Sequence, residues 1–535
     1  MGTDRRKALG LLLAAMLLGQ FALRGELGMR RQSPVWDERL HVGYGLLWLE
    51  HGPAFDPQDH PYPLAALLTL PISLQIFGTH KAERAVLEDP STLLPARRVN
   101  LALATLALAL LAWGLRQRFG AQVALTALAI GSLDPGWLAP ARFVTTDIGL
   151  GLAFLLASYA LVRHRETGRW RMLALAGLAL TLGLSAKWSA LLLIPAALLV
   201  HLLPLPDAKT WPQRLKAGAL AATALALIGI GLFLLLFVVQ GALHGVAPDV
   251  ALGHVWQGFQ ASVVKRSLPR GVWLLGTWHT APTALYFPVL LLAKTPIALL
   301  VLSLCALALP PVRARVWQAR PLFVVPAFYL AAAIATRQNL GFRHMTPVLA
   351  CFWLLAALAA KELTQRGRAG RWLAGALALA LALEALPAHP HELAFTNGLF
   401  GGLDGAHRVA VDAATDWGQE LPALHDYLQQ HPAASGRVDL AYYGNADPQP
   451  FVGPTVWRPC GYLGHPAPAA GERARCADPA EVLAVSATCL EGAAGLRKGR
   501  RWNPTERDDC YAWLRGREPD AVLGGAILVF RDVKR

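Results

Sequence analysis

The chain has few charged residues and few cysteines, and it lacks the short motifs of several enzyme classes. Only 16% of its 535 residues are charged and 54% are hydrophobic, a combination that soluble domains of this length rarely have. No phosphate-binding P-loop, dinucleotide fingerprint, HExxH or suitably placed GxSxG motif is present, which argues against nucleotide hydrolases, metalloproteases and serine hydrolases. The net charge is +15, but the basic residues form no groove with interleaved aromatics, so nucleic-acid binding is not expected.

The hydrophobic residues are concentrated in runs that approach membrane-spanning length. The first run, at 8–23, is interpreted as a retained anchor, because its end lacks the small-x-small site of a cleaved signal peptide, which is the alternative. Further runs lie at 96–115, 123–138, 148–162, 172–184, 189–203, 217–239, 283–309, 321–335, 345–360 and 372–386. The fold class that we expect is a polytopic α-helical membrane protein with about eleven transmembrane helices.

Basic residues are clustered in alternate loops, at 116–118, 163–171, 209–216, 313–320 and 361–371. These loops fall on the same side as the basic residues at 5–7, and the positive-inside rule assigns that side to the cytoplasm. An odd number of helices then places the C-terminus on the other side. We therefore expect a bacterial inner-membrane protein with a transmembrane domain at 1–387, a periplasmic first loop at 25–95 and a periplasmic α/β domain at 388–535.

The tail after residue 387 has shorter apolar runs and more polar residues. Strands are predicted at 408–411, 438–443, 481–486 and 526–530, and helices at 419–430 and 508–514. Four of the six cysteines lie here: Cys460, Cys476, Cys489 and Cys510. In an exported domain they predict two disulfides with three alternative pairings, or else four unpaired small residues. A zinc site is not favoured, because no CxxC spacing is present.

The first outer loop contains two adjacent carboxylates, Asp37 and Glu38, followed by His41. If this stretch is helical, Asp37 and His41 share one face, whereas Glu38 points elsewhere. One carboxylate would then face a cavity while its neighbour pairs with a base. The alternative is a solvated turn in which Asp37 caps a helix.

Ionisable residues also lie within the membrane segments or at their ends, where charge is costly unless it faces a cavity or a partner. On the expected topology, several of them converge near the outer face with Asp37. A carboxylate surrounded by cations suits an anionic lipid headgroup, and snorkelling to the interface is the alternative. The residues proposed to bind lipid phosphate or sugar are His41, His60, Asp147, Lys187, Lys294, Arg337, Arg343 and His344.

Six blocks in order along the chain resemble a known family. They are DERLHVGYG at 37–45, DHPYPL at 59–64, RFVTTD at 142–147, YFP and KTP between 286 and 296, NLGFRHMTP at 339–347, and the pair NG…GG at 397–402 and DWGQ at 416–419. Together they resemble the polyprenyl-phosphate-sugar-dependent glycosyltransferases of the GT-C membrane class, similar to protein O-mannosyltransferases and lipid A aminoarabinose transferases. His60 replaces a lysine of the latter, which weakens the expected phosphate contact there.

The resemblance implies transfer of a sugar from a polyprenyl-phosphate donor to a periplasmic protein, lipid or glycan, within a membrane-lipid environment. It implies Asp37, beside Glu38, as the catalytic base of an inverting reaction. The segment with Asp416, Trp417 and Gln419 is assigned to the acceptor side, and the alternative is that Asp416 or Asp412 caps the first helix of the tail. No cofactor is required and no metal site is assigned, although a divalent metal is an option. The alternatives are a lipid-carrier flippase and a membrane scaffold.

Overall fold

The structure is a computed structural model of the chain. It describes residues 3–54, 59–76, 89–204, 210–336, 338–431, 438–458, 460, 476–493, 495–498, 501–503 and 505–534. Most of the described residues before 388 are helical, and the described residues after 388 form a mixed sheet with short helices.

Seventeen α-helices are present in the described residues of the first part. They are α1 (Thr3–Met29), α2 (Trp36–His51), α3 (Pro63–Ser73), α4 (Leu94–Phe119), α5 (Ala121–Leu133), α6 (Pro135–Ala141), α7 (Asp147–Thr167), α8 (Trp170–Ala186), α9 (Leu193–Leu202), α10 (Trp211–Leu243), α11 (Pro248–Ser267), α12 (Tyr286–Lys294), α13 (Ile297–Ala308), α14 (Pro310–Gln318), α15 (Pro321–Ala335), α16 (Thr346–Gln365) and α17 (Gly367–Ala385). Three 3-10 turns, Pro90–Leu93, Trp188–Leu192 and Phe342–Met345, precede α4, α9 and α16, and a small hairpin of β1 (Val272–Leu274) and β2 (Thr277–His279) follows α11.

Five of the described helices are long and apolar enough to cross a membrane, and the number rises to seven if each of two bent pairs counts as one span. The bends are 109° between α12 and α13 and 83° between α14 and α15. Several other segments expected to span are short apolar helices, such as α5 and α8. The protein therefore has the multi-pass, mostly helical character that was expected, and the number of about eleven spans stays a prediction.

Small residues let the membrane helices approach closely. A Cβ on Gly177 of α8 would meet Ile228 of α10 at 2.3 Å, and one on Gly229 of α10 would meet Leu180 at 2.5 Å. Such glycine contacts are typical of helix packing in membranes, where backbones can approach and gain van der Waals contact. They hold α8 and α10 against the continuous buried core of the helical part.

The tail is built on a five-stranded sheet in the order β4-β3-β5-β9-β8. Its strands are β3 (Val438–Ala441), β4 (Thr455–Trp457), β5 (Ala480–Ser486), β8 (Ala521–Leu523) and β9 (Ile527–Val533), with a separate pair β6 (Leu496–Lys498) and β7 (Arg501–Asn503). β3 is parallel to β4 and β5, whereas β9 is antiparallel to β5 and β8. The helices and turns of the tail are α18 (Gly402–Val409), α19 (Leu421–Gln430), α20 (Gln449–Val452), α21 (Ala487–Leu490) and the 3-10 turns Gly398–Phe400, Asp412–Ala414 and Ala512–Leu514.

Three of the four predicted strands and one predicted helix of the tail are confirmed, but two predictions are wrong. The segment 408–411 ends helix α18 rather than forming a strand, because its buried residues Ala406 and Val409 lie three apart and share a helical face. The segment 508–514 is mainly turns, since the Asp508 side chain accepts a hydrogen bond from the Cys510 backbone N–H. A short side chain that binds the backbone in this way competes with helix formation.

The structure selects one of the three cysteine pairings. Cys460 is bonded to Cys489 and Cys476 to Cys510, and each disulfide joins distant parts of the tail. The two cysteines of the membrane helices, Cys305 and Cys351, are free.

Candidate active site

The start of α2 is held against the tail by backbone hydrogen bonds. The N–H of Trp36 donates to the carbonyl of Trp417, and the N–H of Ser33 donates to the carbonyl of Gln419, both at 3.1 Å. The first turn of α2 is therefore fixed relative to the loop 415–419, and Asp37 and Glu38 lie in that turn.

The two adjacent carboxylates have different surroundings. Glu38 is buried and accepts four hydrogen bonds, from the backbone N–H groups of Val35 and Val144 and from Nε and Nη2 of Arg97, at 2.6 to 2.9 Å. Its side chain is 0% exposed, whereas that of Asp37 is 23% exposed. Glu38 thus joins three segments of the chain, while Asp37 remains accessible.

Asp37 is part of a group that we call the carboxylate–arginine cluster, made of Asp37, Asp147, Lys187, Arg343 and His344. Arg343 Nη1 donates to Asp37 Oδ2 at 2.8 Å, and its Nε lies 3.9 Å from Asp147 Oδ2. On its other side, Asp147 Oδ1 accepts from Lys187 Nζ at 2.5 Å and lies 3.9 Å from His344 Nδ1. The cluster places two carboxylates side by side with an arginine, a lysine and a histidine.

Two donors of this cluster are free to bind a ligand. Arg343 Nε and His344 Nε2 are buried and have no hydrogen-bond partner among the described residues. Buried polar atoms normally find partners, and exceptions are often found at functional sites. Guanidinium and imidazole N–H groups are suitable donors to a phosphate.

The tail covers the cluster from one side. The Trp417 ring lies under Arg343, with 3.8 Å from its centroid to Cζ. Next to it, Gly341 has a φ of 107°, and a Cβ there would meet the Ala413 carbonyl oxygen at 2.7 Å. Only glycine allows this close approach without strain, so the loop before Arg343 lies directly against the tail.

Two histidines of α2 and the following loop lie beside Asp37. The rings of His41 and His60 are 5.6 Å apart in an edge-on arrangement. Burial disfavours the charged form of Asp37, but the positive charge of Arg343 outweighs this and holds the pKa of Asp37 below its usual range. Burial lowers the pKa of His41 and lowers that of His60 to about 3, so both rings are neutral near pH 7. Asp37 is therefore ionised, as a base must be.

Several residues predicted for the site have other contacts. Lys294 is buried, and its Nζ donates to the carbonyls of Leu393 and Phe395, which ties α12 to the tail. Asp416 accepts from the Thr488 backbone N–H at 2.9 Å, and Gln419 bonds its own loop at Trp417 and Thr415. Arg337 lies outside the described residues.

Several ion pairs and hydrogen bonds near the cluster were not predicted from the sequence. Arg270 forms an ion pair with Asp412 at 2.9 Å, and the Tyr443 hydroxyl donates to the same carboxylate at 3.0 Å. Asp412 has a φ of 56°, a strained value for a residue other than glycine. Arg142 is buried against Glu392 at 2.7 Å. Because Arg270 and Asp412, and likewise Arg142 and Glu392, are more than 100 residues apart in sequence, no local pattern indicated these two ion pairs.

A segment within the first half of the chain matches a family model. Residues 33–244 match the model of dolichyl-phosphate-mannose-protein mannosyltransferase. This region resembles that family. The match includes three of the motif blocks, those at 37–45, 59–64 and 142–147, and confirms the resemblance to glycosyltransferases that use lipid-phosphate sugars. No curated protein sequence matches the chain.

Several solved membrane glycosyltransferases are similar to the chain at low identity. The S. cerevisiae protein O-mannosyltransferase Pmt1-Pmt2 complex, bound to its sugar donor, is 19% identical with a TM-score of 0.36, over 50% of this chain and 39% of that one. ArnT from Cupriavidus metallidurans in the apo state is 14% identical with a TM-score of 0.47, over 99% and 98% of the two chains. The oligosaccharyltransferase AglB from Archaeoglobus fulgidus is 15% identical with a TM-score of 0.47, over 71% and 55%. The chain thus spans about two fifths of the yeast mannosyltransferase chain.

Proposed function

We propose that the protein transfers a sugar from a polyprenyl-phosphate donor to an acceptor hydroxyl, with inversion at the anomeric carbon and Asp37 as the base. The observation that carries the proposal is the pairing of Asp37 with Arg343 at 2.8 Å beside unpartnered donors of Arg343 and His344. A base for the acceptor and a binding group for the leaving phosphate are thereby adjacent. The family match over 33–244 supports the same class of reaction.

Asp37 is the most accessible of the three carboxylates in this region. Its side chain is 23% exposed, compared with 2% for Asp147 and 0% for Glu38. A base must reach the proton that it removes within hydrogen-bond distance. We therefore assign the role of base to Asp37. Glu38 is assigned to hold the start of α2 in position, and Asp147 to orient Arg343 and Lys187.

The reaction balances with this chain's own groups. The acceptor oxygen attacks the anomeric carbon, the bond from that carbon to the phosphate oxygen breaks, and its electron pair stays on the phosphate. The acceptor proton passes to Asp37. The transition state has oxocarbenium-like charge on the sugar, and Arg343, His344 and Lys187 stabilise the negative charge that develops on the phosphate.

A metal ion is optional in this scheme. Among the residues that the structure describes, no three His, Cys, Asp or Glu side chains form a group able to hold a metal ion. The positive charge that a metal would bring near the phosphate is supplied in the proposal by Arg343 and Lys187. The site is proposed to work on the periplasmic side of a bacterial inner membrane, with a protein, lipid or glycan as acceptor and the tail around Trp417 beside it.

The first experiment is a transfer assay with purified protein, radiolabelled polyprenyl-phosphate sugars and a membrane extract as acceptor. We expect Asp37→Asn to lower transfer by about 10²- to 10⁴-fold, the range for loss of a general base, with donor binding retained. Asp249→Asn, an exposed aspartate on α11, is the matched control and should keep full activity. Full activity of Asp37→Asn would refute the assignment, and no transfer from a broad donor panel would favour a carrier or scaffold.

A further inference from the structure

A cavity of about 810 Å³ lies beside the tail, and it is separate from the carboxylate–arginine cluster. It is enclosed by the β1–β2 hairpin, by α18 and by the tail loops around 490, 507 and 514–519. None of the five cluster residues lines it. Its volume is typical of sites for small molecules or headgroups and is larger than a single inorganic ion would fill.

The wall of this cavity carries an excess of positive charge. Four arginines line it, Arg408, Arg507, Arg515 and Arg517, and only two carboxylates, Glu491 and Glu518. Burial raises the pKa of Glu491 to about 7, so its carboxylate is only partly charged at neutral pH. The pKa of His407 is lowered by burial to about 4, and this ring adds no charge.

Two of the arginines have donors available for a ligand. Arg507 directs Nε and Nη2 at Glu491, and its Cζ lies 4.8 Å from the Trp273 ring, but Nη1 has no hydrogen-bond partner among the described residues. Among the residues that the structure describes, Arg408 forms its one side-chain ion pair through Nη2 with Glu518 at 3.3 Å, in an exposed position. An exposed pair of this kind contributes little and exchanges readily.

The third arginine serves the tail itself. Arg515 donates through Nε, Nη1 and Nη2 to Leu490, Asp509 and Asp508. This difference indicates that Arg408 and Arg507 face the cavity as binding groups, whereas Arg515 supports its wall.

One side of the cavity lies at Leu399, in the segment that follows the last membrane-associated helix. Its rim includes Leu275 and Leu399, which are 51% and 74% exposed. The backbone N–H of Gly398 donates to Glu384 in the last turn of α17, and the Asn397 side chain donates to the carbonyl of Thr295 between α12 and α13. The basic wall and the exposed leucines therefore meet where the tail leaves the helical part.

We propose that this cavity binds the phosphate-bearing headgroup of an anionic lipid, with Arg408 and Arg507 on the phosphate and Leu275 and Leu399 against the apolar part. Arginine forms paired hydrogen bonds with phosphate oxygens. Apolar residues at the rim are expected to contact the chain of an amphiphile but to add nothing for a free ion. The site is independent of the transfer reaction proposed above.

The test is calorimetric titration of the full chain in a nonionic detergent with dihexanoyl phosphatidic acid, and separately with inorganic phosphate. We expect the lipid to bind at least about tenfold more weakly to Arg408→Gln/Arg507→Gln, which loses two charge-assisted contacts. Arg169→Gln/Arg171→Gln, which removes the same charge from two exposed positions at the start of α8, should bind like wild type. Arg343→Ala should also retain the binding, which separates this cavity from the candidate active site.

Arg408→Gln alone changes an exposed residue and guards against misfolding of the double variant, and it should show an intermediate loss. Equal lipid affinity in wild type and in both cavity variants would overturn the proposal. If inorganic phosphate binds as tightly as the lipid, the result would overturn the proposal that the phosphate bound in this cavity belongs to a lipid headgroup.

Discussion

The clearest prediction concerns Glu38, the carboxylate next to the proposed base. Glu38→Gln leaves the shape of the side chain unchanged but removes the charge that pairs with Arg97 at 2.6 Å. It also places an amide N–H₂ among four donors, those of Val35 and Val144 and the two of Arg97. The amide N–H₂ of the new side chain would then face at least one N–H group that the Glu38 carboxylate had accepted from.

The expected loss follows from burial. Removing one partner of a buried ion pair costs about 3 to 5 kcal/mol, because the other charge is left uncompensated. Arg97 keeps its hydrogen bonds to the carbonyls of Met29, Gln32 and Ser33. We therefore expect the lower end, about 3 kcal/mol in the free energy of unfolding.

The assay is unfolding in mixed micelles by added SDS, followed by tryptophan fluorescence. Asp37→Asn is the matched control, and because its pair with Arg343 is partly exposed, we expect a loss within about 1 kcal/mol. In a double-mutant cycle, Glu38→Gln combined with Arg97→Met should cost less than the sum of the two single variants.

Two results would refute this reasoning. Unchanged stability of Glu38→Gln would show that its hydrogen bonds do not hold the start of α2. A loss of transfer in Glu38→Gln with stability and donor binding intact would move the catalytic role from Asp37 to Glu38.

Three further predictions follow from the tail. Trp417→Leu removes the ring beneath Arg343 and should weaken donor binding by about 2- to 30-fold, the range of a cation–π contact, as measured by donor titration; unchanged affinity would contradict it. Burial raises the pKa of Asp416 from 3.8 to about 7, so the folded form favours the protonated carboxyl and its stabilising contribution is lost as pH rises through about 7. Asp416→Asn should therefore reduce the dependence of the free energy of unfolding on pH between about pH 4 and 7. A dependence as steep as that of wild type would show that Asp416 is not its cause. Reduction of both disulfides should destabilise the tail by about 3 to 4 kcal/mol each, from loops of 29 and 34 residues, as seen in protease sensitivity with and without reductant, and equal sensitivity would refute it.

Patterns within short stretches of the sequence were enough to predict the class of protein and the location of the reactive carboxylates. Apolar runs predicted a multi-pass membrane protein because bilayer thickness sets a length that can be read directly. The spacing of Asp37 and His41 predicted one helical face, and both lie in α2 beside Arg343. Short runs rich in Val, Ala and aromatic residues likewise predicted β3, β5 and β9.

Other features depended on contacts between distant segments. Lys294 was expected to bind phosphate, but in the structure its Nζ donates to the carbonyls of Leu393 and Phe395 in the tail. The partners Arg270 and Asp412, and the pairing of the four cysteines, likewise join segments that are far apart in sequence.

The residue types and spacings of this chain were enough to indicate a membrane enzyme with two adjacent acidic candidates near its first outer loop. Only the tertiary structure decided which carboxylate faces outward, because Glu38 is enclosed by Arg97 and Val144, which come from α4 and the turn before α7. The same holds for Trp417, which reaches Arg343 only after the tail has folded onto the helices. The periodicity of a sequence predicts on which face of its helix a side chain lies. The partners of that side chain depend on how the helices and strands pack together.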